Sequence, residues 1–197
     1  MNPRLILIAG IVVLVFAWAG PLPEMVRDSL AAHMWLHMTV VGIGVPLLAM
    51  GISRLWHLRL PIWLAVAASL IDFAVIWLWH APGLHHAARS AGHALALEQA
   101  SFAAAAMLVW LVALQGPRIA GALTLFFTSM HMTLLGALMA LAPRPIYAGH
   151  LHGDAASIAP LLDQQIGGII MLAIGGVVYF SGALWLSALA LRPERVP

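Results

Sequence analysis

Apolar residues fall into six long blocks, at about residues 5–22, 30–52, 61–81, 93–115, 118–142 and 164–190. Nearly all charged residues lie in the gaps, Asp72, Glu98 and the edge residue Arg118 excepted. A helix needs roughly 20 apolar residues to cross a bilayer, and each block is near that length. The punctuation agrees: Pro21 and Pro23 end the first block, Pro61 opens the third, Pro82-Gly83 closes it, and Gly116-Pro117 turns the fourth into the fifth. The one long connection, 143–163, carries Pro143, Pro145, Gly149, Gly153 and Pro160. Connections of that length are usually functional or disordered. The pattern predicts an all-α fold, a polytopic transmembrane bundle of about six helices forming a single domain over 1–197, without internal repeats.

Composition sharpens this. Hydrophobic residues make up 63% of the chain and charged ones 8%, against about 25% charged in soluble domains; mean hydropathy is +0.98. A water-soluble fold is excluded. Cysteine is absent, which removes disulfides, thiolate sites and thiol nucleophiles. All nine basic residues are arginine, so Schiff-base chemistry is excluded as well. The pI near 9.9 does not point to nucleic acid, because the arginines are scattered over short loops as topology signals. An inside N-terminus puts Arg4, Arg54, Arg59, Arg118, Arg192 and Arg195 inside, with Arg27, Arg89 and Arg144 outside. That bias predicts both termini in the cytoplasm and a multi-pass protein of a bacterial inner membrane, in contact with lipid. The first block, with Arg4 and Ala17-Trp18-Ala19, also fits a cleavable signal peptide, which would leave five helices in the same orientation.

The polar side chains are lopsided on this topology. Glu24, Asp28, His85, His86, His150, His152, Asp154 and Asp163 lie in or beside outer loops, and His33, His37, His80, His93 and Glu98 within the first turns below them. Asp72 and His131 are deepest, each roughly 17–20 Å from the cytoplasmic side at 1.5 Å per residue, a shared level that lets them meet. Ionisable groups inside a membrane are functional by default, which singles out His37, Asp72, Glu98 and His131. His33 and His37 share one helical stripe and Met34 and Met38 its neighbour, and the fifth block adds Met130-His131-Met132. Imidazole binds several metals and thioether sulfur selects Cu(I). Blander readings stand beside these. The methionines are ordinary core fillers, His85 and His86 solvated loop residues, His57 an interfacial anchor, and Asp72–His131 a structural pair. Gly149-His150-Leu151-His152-Gly153-Asp154 is a weak cation motif that would serve as a first capture point.

A series of motifs then comes into view: His33-Met34-Trp35-Leu36-His37-Met38 with Val45-Pro46-Leu47-Leu48, Trp79-His80-Ala81-Pro82, Leu97-Glu98-Gln99-Ala100-Ser101-Phe102, Ser129-Met130-His131-Met132 with Gly136, Pro145-Ile146-Tyr147, and Asp163-Gln164-Gln165-Ile166-Gly167-Gly168. In this order, over residues 30–175, the chain resembles the membrane-integral CtaG family of cytochrome c oxidase assembly factors (caa3-type). The resemblance implies delivery or insertion of copper into the copper centres of the oxidase, with its subunits as partners. It departs at Gln99, where the family often carries a further histidine, and in length, which implies that a further C-terminal helix is missing.

The expectation is a non-enzymatic copper-handling protein. His33, His37, His80, Glu98, His131 and Asp163 would surround an outward-facing polar pocket. Met34, Met38 and Met130 would add soft ligands for Cu(I), and Asp72 would orient an imidazole from behind. The alternative is a bis-His haem protein of electron transfer, with His37 and His131 as axial ligands. A third reading, a proton path through Asp72, Glu98 and His131, is incomplete toward the cytoplasm. Hydrolase signatures such as H-E-x-x-H and G-x-S-x-G are absent.

Overall fold

The computed structural model describes residues 2–26, 29–147 and 159–192. These residues form helices α1 (Pro3–Ala19), α2 (Leu22–Met25), α3 (Leu30–Met38), α4 (Val45–Leu55), α5 (Ile62–Trp79), α6 (Pro82–Ser90), α7 (Gly92–Gln115), α8 (Arg118–Ala140) and α9 (Pro160–Ala190). A π-helical turn, Thr39–Gly44, joins α3 and α4 into one rod, Leu30–Leu55. Five elements are long and apolar enough to cross a membrane: that rod, α5, α7, α8 and α9. With 17 residues α1 is shorter but equally apolar. The protein is a multi-pass, all-helical membrane protein. The short helix α6 was expected to be loop, and it matters for the site.

Proline explains the π turn. Pro46 has no N–H to give the preceding turn, and its ring would clash with a carbonyl one turn back in regular α-helix. Widening the turn relieves the clash, and Val45 N–H reaches back to the Val40 carbonyl. In that register Pro46 would be the donor to Val41 and has nothing to donate. The Tyr179 hydroxyl of α9 donates to the Val41 carbonyl instead, at 2.9 Å. Glycines bring other helices to backbone contact. A Cβ on Gly168 of α9 would fall 2.6 Å from the Gly136 carbonyl oxygen of α8, and one on Gly51 of α4 would fall 2.6 Å from Leu7 Cγ of α1. Association of helices in lipid relies on such close packing by small residues.

The helix directions sort the arginines. Arg4, Arg54, Arg59, Arg118 and Arg192 lie at one end of the bundle, while Arg89 and Arg144 lie at the other among the described residues. The second end gathers the start of α3, the end of α5, α6 and the start of α7, and there the histidines cluster.

Candidate metal centre

Four imidazoles and one carboxylate pack together at this end. His33 and His37 stack one turn apart on α3, with ring centroids 6.3 Å apart. His80, which caps the end of α5, stands 6.2 Å from His33 and 5.8 Å from His37. His85 of α6 is 5.1 Å from His33. Glu98 enters from α7, and candidate ligand atoms of His33, His85 and Glu98 all lie within 4.8 Å of one another. An ion about 2.0–2.1 Å from imidazole nitrogens holds its rings roughly 5–6.5 Å apart, centroid to centroid, so the spacing fits a shared ion.

Burial and unmet polar atoms add to the fit. His33, His37, His80, His85 and Glu98 are each 4% exposed or less. Both nitrogens of His37, Nε2 of His33 and of His80, and Oε1 of Glu98 are buried without a hydrogen-bond partner among the described residues. Buried polar atoms are nearly always paired, and five unpaired ones in a single cluster mark a place for a ligand. The expected outward-facing pocket is therefore corrected: the cluster is enclosed.

Local contacts fix the donors. His80 Nδ1–H donates to the Ile76 carbonyl at 2.7 Å, which leaves the lone pair on Nε2. The Phe102 ring supports His37 at 4.1 Å and His80 at 6.0 Å. Trp79 Nε1 donates to Ser101 Oγ at 2.8 Å, tying α5 to α7. The Tyr147 hydroxyl donates to the His80 carbonyl at 2.7 Å, and its ring lies 4.4 Å from that of His85. Burial pushes the Tyr147 phenol up to about 12, which keeps it a donor.

One cation already stands in the cluster. Arg89 of α6 places Nη2 2.5 Å from Glu98 Oε2 and donates from Nη1 to His33 Nδ1. Burial pulls this guanidinium below its usual pKa, Glu98 opposes that pull, and arginine stays charged.

Other expected ligands lie elsewhere. Asp163 accepts from Ser29 Oγ at 2.7 Å and from the backbone N–H of Leu30 at 2.6 Å and of Ala31 at 3.3 Å, so it caps α3 from α9. Met130 is 54% exposed on the lipid side. Met34 packs against Gly167 of α9, and Met38, one turn on, is fully buried. His131 Nε2 donates to Asp72 Oδ2 at 3.1 Å, with Thr128 adding a bond of 3.0 Å, so Asp72 does orient an imidazole. But Asp72 lies eight residues before His80 on α5, about 12 Å along the axis, and this pair is separate from the cluster. His57, His86 and His93 are exposed. His150, His152 and Asp154 lie outside the described residues.

The motifs around His33, His37, His80 and Glu98 thus converge on one cluster, while those around His131 and Asp163 do not. A family model described as cytochrome c oxidase caa3 assembly factor (Caa3_CtaG) matches residues 4–192. The chain belongs to this family. No curated protein and no solved structure matches it. Among caa3 assembly factor features in this chain, Asp163-Gln164 is a structural element: Gln164 accepts from the Ile146 N–H at 2.6 Å and donates to the Met139 carbonyl at 3.2 Å. It holds the stretch of chain that delivers Tyr147 to His80. Gln99, where a further ligand was expected to be lost, donates to Glu98 at 3.3 Å.

Sequence reasoning missed His85, Arg89 and Tyr147 as parts of the site. The solvated loop residue expected at position 85 is instead a histidine only 1% exposed. The signal was present: Pro82 suits the first turn of a helix, and His85 and Arg89 repeat the one-turn spacing of His33 and His37.

Proposed function

We propose that this oxidase assembly factor is a non-enzymatic carrier that holds copper between His33, His37, His80, His85 and Glu98 and passes it to cytochrome c oxidase as the enzyme is built. Copper here is cargo. Family membership supports the assembly role, and the unpaired imidazole nitrogens of the enclosed cluster support the metal. Copper tops the divalent series for nitrogen and oxygen ligands. The expectation of Cu(I) drew on thioethers; with Met34 packed against α9 and Met130 exposed, the donors are imidazole and carboxylate, a set suited to Cu(II). The arginine bias favours the periplasmic face of a bacterial inner membrane for the cluster, where oxidase subunits would receive the ion.

The test is copper content of detergent-purified protein, wild type against a His37→Ala/His80→Ala double variant, with oxidase copper measured in membranes of the same cells. Near-stoichiometric copper is expected in wild type, with its loss in the variant and copper-poor oxidase. Unchanged copper in the folded variant rejects the carrier role.

A further inference from the structure

The Arg89 guanidinium stands within the cluster of candidate ligands. We propose that Arg89 occupies the metal position in the unloaded protein and competes with the metal for it, so that loading expels the guanidinium and its return drives release. This rests on the copper reading above and concerns the regulation of that site.

Three observations carry it. The atoms that Arg89 engages, Glu98 Oε2 and His33 Nδ1, belong to two of the three residues whose ligand atoms converge within 4.8 Å. A metal held between His33 Nδ1 and Glu98 Oε2, which lie 3.8 Å apart, needs the same lone pairs that Arg89 engages, so at these two atoms the occupants exclude each other. They also repel, and in an enclosed site repulsion between two cations is little screened. Next, the guanidinium is incompletely held: its Nε is buried without a partner among the described residues. Finally, Arg89 has a way out. It lies in the last turn of α6, whose first turn holds Gly83 and which is followed by Gly92 at the start of α7, and a Cβ at either glycine would meet nothing within 4 Å. The neighbouring Ser90 is exposed, and so are Leu84 and His86 on the same helix.

Each element packed around Arg89 brings its own charged or titratable group. Glu98 of α7 faces it with a negative charge, and His33 and His37 of α3, His80 of α5 and His85 of α6 are the titratable groups nearby. Arg89 and Glu98 balance each other in the unloaded state. Exchange of one cation for another keeps Glu98 paired throughout, which avoids a bare buried carboxylate during transfer.

Arginine-selective modification reads this exchange in the wild-type protein. Purified protein is treated with phenylglyoxal, unloaded and with one equivalent of copper supplied as Cu(II) or, under ascorbate, as Cu(I). The extent at Arg89 is read by peptide mass spectrometry and bound copper in the same sample. Arg89, with a side chain 5% exposed, is expected to be protected without metal and to react at least tenfold faster once copper is bound. Copper bound with Arg89 still protected overturns the exchange and leaves the carrier reading intact. No copper bound overturns both. A second arm uses Arg89→Gln and Arg89→Lys, with copper affinity measured by chelator competition. Arg89→Gln is expected to bind at least tenfold more tightly and Arg89→Lys within a few-fold of wild type. Weaker or equal binding by folded Arg89→Gln contradicts competition.

Discussion

His80 gives its Nδ1 hydrogen to the Ile76 carbonyl, 2.7 Å away on the same helix, and so keeps a lone pair on an Nε2 that has no hydrogen-bond partner among the described residues. A histidine held this way is prepared to ligate, since the second nitrogen of a ligating imidazole is usually fixed by such a bond. His80→Ala should weaken copper binding at least tenfold in a chelator titration. Its cost to stability, by thermal unfolding in detergent, should be about 1–3 kcal/mol, as for other buried truncations.

Asp163 should behave in the opposite way. Its carboxylate accepts two backbone N–H groups of α3 and the Ser29 hydroxyl. Asp163→Ala should cost about 1–2 kcal/mol of stability, the magnitude of a lost helix cap, and leave copper stoichiometry unchanged. Loss of copper from a folded Asp163→Ala protein would return it to the ligand set.

For the deeper pair, His131→Ala leaves Asp72 buried with Thr128 as its remaining partner. Breaking a buried pair from one side costs roughly 3–5 kcal/mol, so a large fall in melting temperature is expected. Copper content of the surviving folded protein should not change, because His131 lies outside the cluster.

Much of the fold was legible because a bilayer leaves few choices. Apolar blocks of about 20 residues must be helices, and proline and glycine mark where they stop. The expected blocks 30–52 and 118–142 differ from the rod Leu30–Leu55 and from Arg118–Ala140 only at the ends. The π turn escaped, since it depends on Tyr179 being on hand to satisfy Val41 from another helix.

The candidate site was legible for residues whose burial follows from sitting inside an apolar block: His33, His37, His80 and Glu98. It failed where position along the chain does not fix direction. Met130 is inside an apolar block and faces lipid, while Asp163 lies at the right end of the bundle and is taken up by backbone donors. His85 and Arg89 lie in a short helix between two membrane spans, and hydropathy cannot separate such a helix from a solvated loop.

Copper binding by the imidazole cluster is tested most directly by X-ray absorption at the copper edge on the purified, loaded protein. The predicted result is a first shell of nitrogen and oxygen near 2.0 Å with the outer-shell pattern of imidazole rings. A sulfur shell near 2.3 Å, which the methionines would supply, or a shell without imidazole features, contradicts it.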